Sequence, residues 1–303
     1  GISFFTALLF AIHPVQVETV CWISASKIVL STFFYLSALI CYIQYMRNSK
    51  WQYLLASVVS SILAMGCKEQ SVIIVPCLLL FDWMLFKRNM RSLKVYIEKV
   101  YYLIPAIAIF IVTLVANKNT GEEIIGYTIV DRFIFLCYSS FKYLLISAIP
   151  FKLSYLYPFP FQVGEKIPMA LWIYPFVILF IGYVIYLNRR KPLLVFCTLF
   201  FILHLLPVLH VIPLPRYVVA ADRYLYIPYI AFAIGLSILS YHLYERQRKW
   251  ILYAGFLYCS YLCVYTAGYA PAWKNSDTLK EHFKEVLKKR ETNLSINFKH
   301  EKQ

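Results

Sequence analysis

WQYLLASVVSSILAMGCKEQSVIIVPCLLLFDWMLF, running from Trp51 to Phe86, carries only three charged side chains, Lys68, Glu69 and Asp82. A helix that crosses a bilayer needs about 20 mostly apolar residues at roughly 1.5 Å each. This stretch is too long for one such helix. It reads as two apolar helices folded back at Gly66-Cys67-Lys68-Glu69. Charge is costly at that depth, so the turn has two readings. Either Lys68 and Glu69 pair and cap the hairpin, or Lys68 is a fixed cation presented to a phosphate at the membrane surface.

The rest of the chain repeats the pattern. Of its 303 residues 61% are hydrophobic and 15% charged, with a mean hydropathy of +0.64. A soluble domain is nearer a quarter charged, so most of this apolar surface is expected to face lipid. Disorder, collagen, coiled coil and a secreted disulfide scaffold are excluded. Apolar runs lie at about 1–12, 28–46, 52–66, 70–86, 100–116, 129–149, 170–187, 193–209, 225–242 and 250–268. The expected fold is all-α: a polytopic integral membrane helical bundle.

Four short connectors, 47–51, 87–99, 188–192 and 245–249, hold 13 of the 30 Lys and Arg residues. Basic residues stay on the cytoplasmic side, so these connectors are expected there. The net charge of +15 then reports orientation, and no nucleic-acid partner is implied. Counting crossings from those connectors puts five segments on the outer, periplasmic or lumenal, face. They are 13–27, the 66–69 turn, 117–168, 210–224 and the tail 270–303. The run 129–149 includes Asp131, Arg132 and Lys142 and must return to the side it left. It is expected to be an interfacial or re-entrant helix on the outer face. The tail reads as helical from Ser276 to Arg290. The chain opens inside an apolar segment at Gly1, so further sequence is expected upstream.

Unusual polar chemistry concentrates on that outer face. The loop HVIPLPRYVVAADRY (210–224) supplies Arg216, Asp222 and Arg223. Arginine forks suit phosphate, and Asp222 at a helix entrance also complements the dipole. In AIHPVQVETV (11–20), His13 is a further outer-face candidate and Glu18 a candidate acid or base. Glu18 is otherwise expected to pair with Lys27, and Asp82 to pair near Lys87. The aromatic run 150–161 suits the headgroup belt. Eight cysteines without a C-x-x-C pair read as packing residues. No phosphate-cradling glycine loop, paired-histidine metal motif, dinucleotide fingerprint or nucleophile elbow is present. No metal and no cofactor are therefore expected.

Four strings occur in order: AIHPVQVETVCWISASKIVLSTFFYLSAL (11–39), GCKEQSVIIVPCLLLFDW (66–83), AADRYLYIPYI (220–230) and WKNSDTL (273–279). Together they resemble the membrane domain of C-type glycosyltransferases related to the protein O-mannosyltransferases. The branch with membrane helices followed by tetratricopeptide repeats is the most similar. The resemblance implies a membrane domain over 1–269 and an outer-face helical tail over 270–303 at the start of a repeat region. It implies transfer of a sugar from a polyprenyl-phosphate donor to a protein or glycan acceptor at the outer face. Lys68, Arg216 and Arg223 would hold the lipid phosphate, Glu18 and Asp222 would shape the acceptor side, and Glu69 stands beside them. The family's main catalytic acid lies in a loop upstream of Gly1, and many relatives carry an aspartate where this chain has Ile28. Two other functions stay open from the residues: a secondary transporter or lipid flippase, and an inactive anchor for downstream repeats.

Overall fold

The computed structural model describes residues 1–116, 126–154, 156–210, 218–246, 248–282 and 284. Among them the chain is all-helical, without strands. Eleven α-helices follow in order. They are α1 (Ile2–Ile12), α2 (Val17–Cys21), α3 (Ser26–Asn48), α4 (Trp51–Cys67), α5 (Ile74–Met84) and α6 (Leu93–Ala116). After these come α7 (Ile129–Ala148), α8 (Ile173–Leu187), α9 (Pro192–Leu205), α10 (Pro228–Arg246) and α11 (Arg248–Tyr269). Every apolar run expected from sequence overlaps one of these helices.

Among the described residues four helical stretches are long and apolar enough to cross a membrane: Ile23–Asn48, Leu93–Ala116, Met169–Leu187 and Trp250–Trp273. A fifth arises if Ile2–Ile12 and Pro14–Cys21, bent by 54° at His13, count as one. This composition marks a membrane protein. Polarity is arranged accordingly. All of α8 lies at the surface, presenting Phe176, Leu179 and Phe180, whereas Tyr35, Tyr42, Tyr102, Tyr143 and Tyr229 are fully buried.

The α3–α4 hairpin is the most extensive helix pairing. Its seam is built of small residues: Ser31 and Ala38 on one helix, Ser57, Ser61 and Ala64 on the other. Small side chains let two backbones approach where lipid offers no hydrophobic drive between helices. Ser57 Oγ donates to the Ala38 carbonyl at 2.7 Å, and Ser31 Oγ to the Ala64 carbonyl at 2.8 Å. Ser49, with a left-handed φ of 55°, ends α3 by returning its N–H to the Tyr45 carbonyl.

Helix directions then give the molecule two ends. Tyr45 and Met46 at the close of α3 meet Arg88 and Glu98, so the 47–51 and 87–99 connectors share one end. The connectors after α8 and α10 fall at the same end, because α9 finishes and α10 begins beside the Lys68 turn. The basic connectors thus cluster at one end, with the 66–73 turn, the 13–22 segment and the 222–225 turn at the other.

Helix α7 is continuous and opens with a capping box. Thr128 Oγ1 accepts from Asp131 N, and the Asp131 carboxylate accepts the Thr128 N–H. It runs from Ile129 to Ala148 without a break. Its partners belong to the half of the molecule that holds Lys68. Tyr127, just ahead of it, packs on Phe159 and Phe161, while Tyr258 donates to the Ala148 carbonyl.

The tail is helical over 276–282, where Asn275 Oδ1 accepts the N–H groups of Asp277 and Thr278. The expected continuation to Arg290 lies outside the described residues. None of the eight cysteines is in a disulfide.

Candidate functional site

The His13-Pro14 step breaks the first helix, because proline cannot donate to the turn before it. His13 Nδ1 accepts the Val15 N–H at 3.3 Å, which leaves the ring proton on Nε2, facing the Ser147 carbonyl. The ring rests against Tyr229, with centroids 4.3 Å apart. Past the break, α2 brings Glu18 against the 222–225 turn. Its carboxylate accepts the Arg223 backbone N–H at 2.9 Å and a guanidinium N–H of the same residue. Glu18 is completely buried, whereas the Arg223 side chain keeps 20% of its surface exposed. Trp22 and Tyr224 flank the guanidinium, at 5.5 and 5.0 Å from their ring centroids. The expected partner of Glu18 was Lys27. Arg223 takes its place because the fold stacks the 13–21 segment on the 222–225 turn.

Lys68 follows α4 with extended backbone, and Glu69–Ile73 forms a short 3-10 turn. Lys68 pairs with Glu69, as the first reading of the turn expects. Burial would raise the Glu69 carboxyl, but the Lys68 ammonium outweighs it and holds the group below its usual range. Ser71 Oγ lies 2.7 Å from Ser31 Oγ and ties the turn to α3.

Lys68 and Arg223 line one cleft. Ile28, Ser31, Thr32, Gln70, Tyr35 and His204 contribute to its walls and floor. Its void, open mouth included, is about 410 Å³ but is narrow, with room for about two water molecules. At the floor His204 Nδ1 lies 2.8 Å from the Phe200 carbonyl and Nε2 lies 2.8 Å from Tyr35 Oη. A carbonyl only accepts, so Nδ1 carries the proton and Tyr35 donates to Nε2. Each rim cation has a carboxylate beside it. Arg223 has five N–H donors, so its pairing with Glu18 leaves others available to a ligand.

Asp222 does not line the cleft. It is buried, and its Oδ1 accepts from Tyr157 Oη at 2.8 Å. Burial, and after it the negative charge of Glu18, push the Asp222 carboxyl well above its usual range. The Lys142 ammonium sits 3.8 Å from the centroid of the Tyr157 ring. Arg216 lies outside the described residues. The sequence brought Lys68, Arg223 and Ile28 into view but missed Tyr35, His204, Gln70, Lys142 and Tyr157. The aromatic run 150–161 was the only signal for Tyr157, and its burial against Asp222 is a tertiary fact.

Among the described residues no group of three or more His, Cys, Asp or Glu could hold a metal ion. The fold and site define an all-helical membrane protein with a two-cation cleft at the end opposite its basic connectors. Comparison with protein-family models, curated proteins and solved structures finds no match to the chain.

Proposed function

We propose that this protein transfers a sugar from a polyprenyl-phosphate-linked donor to a protein or glycan hydroxyl at the membrane surface. The observation that carries the reading is the meeting of Lys68 and Arg223, 155 positions apart in sequence, in one cleft. In such a transfer the acceptor oxygen attacks the anomeric carbon, the bond from that carbon to the phosphate oxygen breaks, polyprenyl phosphate leaves, and the hydroxyl proton passes to solvent or to that phosphate. Fixed cations stabilise the charge that builds on that phosphate. Glu18 fits a positioning role, because it orients Arg223 from behind. Asp222, on the far side of the same turn, belongs to that supporting layer.

A second feature suits a lipid-linked donor. An apolar groove between α5 and α9, lined by Pro76, Leu80, Trp83, Leu199, Leu203 and Leu206, begins one helical turn from the cleft residues Ile73 and His204. A phosphate in the cleft would leave its chain beside that groove.

The test is in vitro transfer from a polyprenyl-phosphate sugar by the full-length protein in detergent or nanodiscs. A charge-assisted hydrogen bond is worth about 1.5–3 kcal/mol, so Lys68→Ala is expected to lower kcat/KM by roughly tenfold or more. Lys68→Arg should retain more activity, and Arg223→Lys should fall between. Uptake of sugar or lipid into proteoliposomes without covalent product would favour a transporter or flippase. Undiminished transfer by both Lys68→Ala and Arg223→Lys would remove the phosphate role of the cleft.

A further inference from the structure

Besides His13 Nε2, seven buried polar atoms at the cleft end have no hydrogen-bond partner among the described residues. They are both amide atoms of Gln16, Thr19 Oγ1, Ser147 Oγ, Ser154 Oγ, Asp222 Oδ2 and Tyr229 Oη. All six residues are at most 5% exposed. They belong to one neighbourhood. The Pro14–Gln16 turn and α2 pack on the 222–225 turn. Ser154 N donates to Tyr157 Oη, which donates to Asp222. His13 connects the rest, with its ring against Tyr229 and beside the Ser147 backbone.

A buried polar atom left unmet costs about 1–3 kcal/mol, and folded proteins rarely tolerate several together. The set also identifies what would meet them. The Gln16 amide nitrogen can only donate, Gln16 Oε1 can only accept, and the hydroxyls do both. A bare cation would satisfy the acceptors and repel the donor, with the Lys142 and Arg223 charges close by. An anion would do the reverse beside Glu18. Only a small neutral molecule that both donates and accepts suits all of them.

We infer that the cleft-end interior binds a cluster of ordered waters shared among Gln16, Thr19, Ser154 and Asp222. At about three hydrogen bonds per water, seven atoms call for roughly two or three waters. The cluster is independent of sugar transfer and would serve any activity of this end.

Hydroxyl-radical footprinting of the full chain in nanodiscs tests this, because radicals formed from bound water modify neighbouring rings that bulk solvent cannot reach. Tyr157 and Tyr229 are 2% and 0% exposed, and the control pair Tyr42 and Tyr102 are both at 0%. The controls have protein partners in Asp82 and Ser57. Tyr157 and Tyr229 are expected to be modified several-fold faster than the controls. In parallel, Thr19→Val is nearly isosteric and decides by sign. If Thr19 bonds to water, the variant loses that bond and its melting temperature falls by about 2 °C. Equal modification of the two tyrosine pairs, or a Thr19→Val melting temperature unchanged or raised, overturns the inference.

Discussion

Two buried polar clusters sit at opposite ends of this molecule, and they are built on different terms. At the basic end Tyr42, Asp82, Arg88, Glu98 and Lys99 form a closed network of two acids and two bases. Lys99 Nζ lies 2.6 Å from Asp82 Oδ2 and donates to Tyr42 Oη at 2.6 Å, while Tyr42 donates to Asp82 Oδ1 at 2.6 Å. Arg88 holds Glu98 through both of its terminal nitrogens. None of these side chains has an unmet buried atom. At the cleft end one acid is tied to one base, a second acid is paired only with a tyrosine, and seven polar atoms go unmet by protein. A satisfied network rigidifies; an unsatisfied one invites something from outside the chain. We therefore assign the basic-end cluster to holding α3, α5 and α6 together and the cleft end to binding.

The largest expected effect tests the first half of that contrast. Asp82→Asn leaves Lys99, whose side chain is 5% exposed, without its closest counter-charge. Breaking one partner of a buried pair costs about 3–5 kcal/mol. Thermal unfolding in detergent should show a clear loss, and Asp82→Leu combined with Lys99→Met should recover most of it. A single Asp82→Asn variant as stable as the parent breaks the comparison.

Glu18→Gln should cost less, about 1–3 kcal/mol, because the released Arg223 already reaches the cleft and can hydrate there. The same unfolding assay ranks the two variants. A Glu18→Gln loss larger than that of Asp82→Asn would make the cleft end the structural one.

The pH response sharpens the contrast further. Burial and the nearby Glu18 charge raise the Asp222 carboxyl in the folded state, so the folded chain holds this proton more tightly than the unfolded one. That contribution is complete below the unfolded value of about 3.9 and is lost as pH rises through the raised folded value. Asn is neutral like the protonated acid, so parent and Asp222→Asn should be closest in acid, and the parent should fall below the variant as pH rises through the raised folded value. Parallel stability curves for the two across that range would show that Asp222 titrates normally. The smallest effect belongs to the exposed turn. Glu69, with 44% of its side chain exposed, pairs with Lys68 for less than about 1 kcal/mol, so Glu69→Gln should barely shift unfolding.

Much of this architecture is legible locally. Hydropathy sums over a window locate the helices, because the cost of placing a residue in lipid belongs to that residue alone. Thr128 three positions before Asp131, and Asn275 before Asp277 and Thr278, announce their helix starts by capping bonds that span one turn. The Lys68–Glu69 pair is adjacent in sequence, and its pairing is equally readable. The expectation that Glu18 meets Lys27 came from the same habit of looking nearby, and it failed for the same reason. Glu18 and Arg223 are 205 positions apart, and nothing in either neighbourhood names the other. Asp82 lies between the two cases. Its pairing at the boundary near Lys87 was legible, and Arg88 supplies it there, but the closer partner Lys99 comes from α6.

Amino-acid order alone thus settles an all-helical membrane chain, its helix positions, its capped starts and the clustering of its basic connectors. Each of these depends on interactions within a turn or two, or on a sum over single residues. The cleft that joins Lys68 to Arg223, the burial of Glu18 and Asp222 behind it, and the Tyr35–His204 floor emerge only when the helices pack. Charge, burial and hydrogen bonding at those positions are properties of the space between segments, and no single segment contains that space.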